Sequence, residues 1–330
     1  MHRSRSKLLN RVSTSCGALL TCVLTLALAS TAFAVDASTV IETGVLPKRW
    51  LDGGPDCGKL PPFQIHAYNA NFYILRESGC LNAEKPFLYL IFGEKQAVLF
   101  DTGAGDEEGI EVTPDVAGAV KLAIKLWSVR TKKSPLPLLV SHLHSHGDHT
   151  FGDSQLAALP FVTLVPPSDV GALQAAFGIA SWPEDVGQLD LGGRVLDIVP
   201  IPGHDETSIA VYDRKTGVLL TGDTMYPGRV YINGDPDVFA RSIERLVAFT
   251  EDKIVAHVLG THIEQSGPYS DYPVGTHYAP IEAELGQSRG ALLELLEATT
   301  YRDETGAIIQ RAFRDFSVCG PYPSCDPVNL

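Results

Sequence analysis

Residues Val140 to Thr150 read Val-Ser-His-Leu-His-Ser-His-Gly-Asp-His-Thr, which gathers four of the chain's ten histidines and an aspartate into one short segment. Imidazole is the commonest transition-metal ligand in proteins and binds through a neutral ring nitrogen. The segment follows the apolar run Leu136 to Val140, so it reads as a loop leaving a buried strand rather than as a polar surface loop. A chain built around it has to form a sheet whose strand end presents imidazoles to a common point.

The surrounding pattern supplies such a sheet. Strand-like stretches run over Phe63 to Tyr68, Asn71 to Leu75, Phe87 to Phe92 and Gln96 to Phe100, the last two joined by the hairpin signal Gly93-Glu94-Lys95. Further strands are expected at Phe161 to Val165, Val195 to Ile201, Ser208 to Tyr212, Val218 to Thr221 and Val255 to Leu259. Helical spacing of Val116, Val120, Leu122, Ala123, Leu126 and Trp127 predicts a helix over Pro114 to Arg130. Others are expected at Ser168 to Phe177, Pro236 to Thr250 and Pro280 to Thr299. Strands alternating with helices but interrupted by hairpins predict the α/β class, specifically an αββα sandwich of two mixed sheets flanked by helices.

His144-x-His146-x-Asp148-His149 resembles the H-x-H-x-D-H motif of the metallo-β-lactamase superfamily, and that family's other elements follow in order. His204 stands in Ile201-Pro202-Gly203-His204, Asp223 in Leu220-Thr221-Gly222-Asp223-Thr224 and His262 in Leu259-Gly260-Thr261-His262, with Asp101-Thr102-Gly103 ending an earlier strand. The resemblance spans roughly Phe87 to His262. It implies a binuclear site: His144, His146 and His204 for the first ion, Asp148, His149 and His262 for the second, and Asp223 bridging, since the two oxygens of a carboxylate can bind different ions. A hydroxide shared between the ions is then available near neutral pH, because a bound metal lowers the pKa of water from about 15.7 to roughly 7.

The expected ions are two zincs, although histidine and carboxylate donors also suit iron or manganese. Asp148 is expected to orient the nucleophile as well as to bind metal, and Asp101 resembles the family's aspartate that orients a ligand from behind. Tyr226 follows Asp223 by three residues, as a tyrosine does in acyl-homoserine-lactone lactonases of the superfamily; its phenol is expected to stabilise oxyanion charge. His142 is expected to face the opposite side of the strand end, and His277 is a candidate for the pocket wall. Specificity is expected from Ala104 to Pro135, Tyr226 to Gly234 and Ser266 to His277.

The residue at Asp223 separates branches of this family. Class B1 and B2 β-lactamases place a cysteine there and class B3 enzymes have no metal-binding aspartate, so the resemblance implies the thioester, lactone and phosphoester hydrolases. Hydroxyacylglutathione hydrolases share these ligands but carry basic residues in a C-terminal helical segment, where this chain offers only Arg289. The expected activity is hydrolysis of an ester, lactone or related acyl bond in a small-molecule substrate. β-Lactam hydrolysis is the first alternative, followed by phosphodiester cleavage, iron-dependent oxygenation and metal binding without catalysis.

The N-terminus bears on compartment. Arg3, Arg5, Lys7 and Arg11 precede an apolar run from Cys16 to Ala29, and Ala32-Phe33-Ala34 supplies a small-x-small cleavage pattern. The expected organisation is therefore a signal peptide over 1–34, an N-terminal extension over 35–62 and a catalytic domain over 63–330 with a disulfide-bearing tail. Cleavage leaves 22 basic against 39 acidic residues, a formal charge of −17, which argues against nucleic acid as a partner and against adhesion to anionic membranes. The expected location is periplasmic or secreted, where the four remaining cysteines pair. The local pairing Cys57–Cys80 with Cys319–Cys325 is preferred, with the two crossed pairings left open.

Overall fold

An uninterrupted apolar stretch such as Phe87–Phe92 is satisfied only at the centre of a sheet covered on both faces. The computed structural model, which describes residues 41–110 and 112–325, places it there with all six residues buried. The expected signal peptide lies outside the described residues. The first sheet has the order β1 (Phe63–Asn69), β2 (Phe72–Glu77), β3 (Phe87–Phe92), β4 (Ala97–Phe100), β5 (Leu138–Ser141) and β6 (Val162–Leu164). β1 to β4 run antiparallel, whereas β4, β5 and β6 run parallel. The second sheet combines β7 (Gly187–Asp190), β8 (Val195–Pro200), β9 (Ile209–Asp213), β10 (Val218–Gly222) and, beyond the short β11 (Arg229–Tyr231), β12 (His257–Gly260) in the order β12-β10-β9-β8-β7. Two ribbons complete the strands. β13 (Gln265–Gly267) pairs with β14 (Ser270–Asp271), and β11 pairs with β16 (Ser317–Cys319), which also takes β15 (Arg311–Ala312).

Period-two alternation sends each strand's side chains into two different cores. Ile74, Tyr89 and Ile91 meet Leu196, Ile198, Val211 and Leu220 between the sheets. Their neighbours Tyr73, Leu88 and Leu90 point outward against α1 (Val116–Thr131), joined there by Leu156 of α3 (Asp153–Ala157), which follows the single turn α2 (Gly147–Thr150). On the far side of the second sheet, Val199, Leu219 and Val258 pack against Phe239, Ile243 and Leu292. These last come from α5 (Pro236–Phe249) and α6 (Arg289–Ala298), numbered after α4 (Val170–Phe177). The result is helix, sheet, sheet, helix. Each large apolar side chain so enclosed contributes roughly 1.5–3 kcal/mol.

Two helical expectations are corrected. On α1 the inward stripe is Val116, Val120, Ala123 and Trp127, while Leu122 and Leu126 lie on the exposed face. The helix expected over Pro280 to Thr299 begins only at Arg289, because tertiary pairing overrides local propensity: Val258 and Gln287 exchange backbone hydrogen bonds of 2.8 and 2.9 Å across the edge of β12. Disulfides join Cys57 to Cys80 and Cys319 to Cys325, the local pairing. No helix among the described residues is long and apolar enough to cross a membrane.

Candidate metal centre

Strand direction decides where the chemistry collects. β8, β10 and β12 run the same way, since β8 and β10 are each antiparallel to β9 and β12 is parallel to β10. Their C-terminal ends lead into His204, Asp223 and His262. In the first sheet the parallel ends of β4 and β5 lead into Asp101 and the histidine segment.

Leu143 joins these two rims. Its side chain is buried in the inter-sheet core, its amide donates to Asp101 Oδ1 at 2.8 Å, and its carbonyl accepts from Ile209 of the second sheet at 2.9 Å. The chain then closes into α2, so that His146, Asp148 and His149 project from one turn. The carbonyl of His149 is clamped by Thr102, whose amide donates at 2.7 Å and whose hydroxyl lies at 3.1 Å. Close approach demands glycine nearby: at Gly203, φ +143°, a Cβ would fall 2.6 Å from the Phe239 backbone.

The structure brings all seven expected donors together in two groups, His144, His146, His204 and Asp148, His149, Asp223, His262, with the donor atoms of each group within 4.8 Å of one another. His146 Nδ1 lies 2.9 Å from His144 Nε2 and 3.2 Å from His204 Nε2. Asp223 faces both groups: Oδ1 is 3.4 Å from His149 Nε2 and from His262 Nε2, and Oδ2 is 3.8 Å from His204 Nε2.

The outer nitrogens of three of these histidines face oxygens of the surrounding chain, which turns the inner ones toward the centre, where they offer lone pairs once deprotonated. His204 Nδ1 bonds the Tyr231 carbonyl at 2.9 Å, His262 Nδ1 bonds the Glu84 carbonyl at 2.8 Å, and His149 Nδ1 lies 2.9 Å from Asp101 Oδ2. Both ring nitrogens of His149, His262 Nε2 and Asp223 Oδ1 are buried without a hydrogen-bond partner, His149 Nδ1 having only the ion-pair contact with Asp101. Converging, unpartnered, buried donors of this kind are costly in isolation, and a cation between them removes the cost. The residues present therefore fit a pair of metal ions.

Electrostatics separates the two groups. Burial holds His144 well below the ordinary imidazole range and His204 below it, so both are neutral. Burial acts the same way on His149 and His262, but facing carboxylates outweigh it: Asp101, Asp148 and Asp223 for His149, Asp223 and Asp148 for His262. Both are held well above that range. Burial likewise opposes charge on Asp148 and Asp223, and His149 and His262 reverse it, keeping both carboxyls far below the ordinary value.

A chamber of about 450 Å³ opens over the cluster. Tyr226 lines it with its ring, but its hydroxyl donates to the Arg229 carbonyl and sits 3.2 Å from Glu264 Oε2. Without a ligand, then, the hydroxyl expected to serve an oxyanion is turned toward Arg229 and Glu264. His142 is buried 2.8 Å from Asp153 Oδ1, outside both donor groups. His277 bonds the Gly79 carbonyl and pairs with Glu107, away from the lining.

Of the three segments expected to set specificity, Tyr226 to Gly234 and Ser266 to His277 reach the chamber, through Tyr231, Asn233 and Val274. Ala104 to Pro135 does not, since most of it forms α1 behind the first sheet. Sequence reasoning missed Glu84, Glu264 and Tyr322 in the lining, and Asp205, which braces His146 Nε2 from 3.7 Å. Only Glu264, alternate to His262 in sequence, carried a signal.

A family model described as the metallo-beta-lactamase superfamily matches residues 83–299. The hydroxyacylglutathione hydrolase of Aeromonas hydrophila is 31% identical over 116 residues, 34% of this chain and 43% of that enzyme, so less than half of the relative is spanned. The acyl-coenzyme A thioesterase MBLAC2 of Bos taurus is 25% identical over 222 residues, 58% of this chain and 77% of the relative. The mono-zinc crystal structure of the metallo-beta-lactamase FIM-1 from Pseudomonas aeruginosa superposes with a TM-score of 0.47 at 16% identity, covering 73% of this chain and 98% of that one.

Proposed function

Because the chain belongs to the metallo-beta-lactamase superfamily, we propose that it is a metal-dependent hydrolase of an ester, lactone or related acyl bond. The observation that carries this reading is the facing pair of donor groups with Asp223 between them, at the floor of a chamber large enough for a small molecule. His144, His146 and His204 would hold one ion, Asp148, His149 and His262 the other, and Asp223 both; zinc suits these donors best. Ions bound there would supply Lewis acidity and lower the pKa of bound water to about 7.

The protein's own residues do the rest. Asp148, at the chamber edge of its group, would orient the attacking water by accepting its hydrogen bond. Asp101 keeps the lone pair of His149 Nε2 pointed inward. Export to the periplasm or beyond is part of the proposal, supported by the basic and apolar pattern of residues 3–29 and by the two cysteine pairs.

The test is a panel assay of purified full-length protein loaded with zinc, using an aryl ester, a homoserine lactone, a thioester, a bis-phosphodiester and a chromogenic cephalosporin. The expected result is two ions per chain and acyl turnover that a chelator removes and zinc restores. Turnover confined to the cephalosporin or the phosphodiester overturns the bond class. Two bound ions with no turnover on any substrate overturns catalysis.

A further inference from the structure

The chamber has a charge asymmetry that hydrolysis alone does not require. On the His262 side stand Glu84, whose carbonyl takes the His262 Nδ1 bond, and Glu264. Glu264 is fully engaged: Arg229 Nη1 lies 3.1 Å from one oxygen, and the other accepts the Arg229 amide at 2.7 Å. The Glu84 carboxylate accepts no hydrogen bond among the described residues and lines the chamber; burial pushes it up to about 7 and the nearby His262 acts against that, so it is charged above neutral pH, where its effect is to be read. On the His204 side, Tyr231 and Tyr322 meet edge to face with ring centres 5.3 Å apart, and the Tyr322 amide donates to Asn233 Oδ1 at 2.9 Å. No lysine or arginine is among the described lining residues.

With no lysine or arginine in that lining, a phosphate, sulfonate or carboxylate on a substrate arm that reaches Glu84, away from the central donors, meets no fixed cationic side chain of its own there, and the Glu84 carboxylate repels it. Tyrosine faces and an unpaired carboxylate favour the opposite: an apolar or aromatic body and a positive or N–H-bearing group. Building on the hydrolytic reading, we propose that the substrate is a non-anionic acyl compound with two arms. One arm, apolar and preferably aromatic, lies against Tyr231 and Tyr322. The other ends in a cationic or N–H-bearing group at Glu84. The same residues disfavour a polyanionic thioester. In the reaction the acyl–oxygen or acyl–sulfur bond breaks as the new bond to the water oxygen forms, and the alcohol or thiol leaves with a proton.

The test uses phenylacetyl esters of choline, 3,3-dimethylbutanol and 2-hydroxyethanesulfonate, which differ chiefly in charge at one end, on the zinc-loaded full chain. It also uses the matching ketones, in which CH2 replaces the ester oxygen, with their binding measured by calorimetry. The expected order in kcat/KM and in affinity is choline, then dimethylbutyl, then sulfonate, with at least about tenfold between the extremes, the scale of one partly screened unit charge. Glu84→Gln is expected to collapse that ratio, and a ratio taken within one variant does not depend on how much of it is folded. Tyr322→Ala, at an exposed position, is expected to lower phenylacetyl relative to acetyl choline several-fold.

A sulfonate ester handled as well as the choline ester, or a ratio unchanged in Glu84→Gln, overturns the charged arm. An unchanged phenylacetyl preference in Tyr322→Ala overturns the aromatic arm. If no ester is hydrolysed but the ketones bind in the expected order, the hydrolytic reading fails and the ligand class stands.

Discussion

Replacing Asp101 by Asn isolates one proton. Asp101 is fully buried at φ +67°, a left-handed conformation that asparagine tolerates better than most residues, so the backbone is preserved. The amide oxygen can still accept from Leu143 N, but an amide nitrogen then replaces Oδ2, the atom 2.9 Å from His149 Nδ1 and 3.3 Å from Thr261 Oγ1. An N–H facing Nδ1 favours, once His149 is neutral, acceptance there and a proton on Nε2. That nitrogen is the one 3.3 Å from Asp148 and 3.4 Å from Asp223, and once protonated it has no lone pair for a cation.

Loss of such an orienting partner typically costs about 10- to 100-fold in metal affinity, or roughly 1.4–2.8 kcal/mol. The loss should fall on the group containing His149 and spare His144, His146 and His204. Competition against a chromogenic chelator resolves two binding steps: the expected outcome is one step weakened by that factor and one unchanged. Two unchanged steps would refute the argument that Asp101 sets the His149 tautomer. Asp101→Ala is the harsher control, since it also strands the buried Leu143 amide at a further cost of about 1–3 kcal/mol.

Other outcomes follow from the same contacts. Glu77 is buried with one oxygen unpartnered and the other accepting from Ala104 N at 3.1 Å, and burial pushes its carboxyl up to about 8 despite that bond. Its ionisation in the unfolded chain therefore erodes stability as pH rises from about 4.5 towards 8, and Glu77→Gln should gain up to about 3 kcal/mol at pH 7 and almost nothing near pH 4.5. Urea unfolding at several pH values checks this, and a gain that does not vary with pH would contradict it. Metal uptake must displace protons from His149 and His262, so it should release protons and weaken as pH falls; calorimetry in buffers of different ionisation enthalpy measures the number. Replacing Cys57 and Cys80 together by Ser, opening a loop of sequence separation 23, should lower stability by about 3 kcal/mol in a denaturation assay while the metal stoichiometry stays at two.

What was legible in the sequence divides along physical lines. The candidate donors could be read because each sits just beyond an apolar run that folds as a strand, and because only a few residue types bind metal. Both layers of the sandwich follow from alternation and from hairpin signals such as Gly93-Glu94-Lys95. The chamber wall was less readable. Glu84 lies in a loop with no periodicity, and Tyr322 arrives from a tail whose docking depends on β16 pairing with β11 some ninety residues away. Tyr226 shows the limit of spacing as evidence: its position is close to the candidate donors, with its ring 5.6 Å from that of His262, yet the direction of its O–H depends on the Arg229 carbonyl and Glu264, which no local pattern fixes.

The stitching of Leu143 into both sheets has a mechanical consequence. Neither half of the molecule can peel away while the loop carrying His144 to His149 keeps its shape, since one residue's amide, carbonyl and side chain answer to three different neighbours. Heat or denaturant should therefore dismantle the sandwich and empty the centre in a single event, and bound ions should act as rivets whose removal lowers the temperature of that event without splitting it in two.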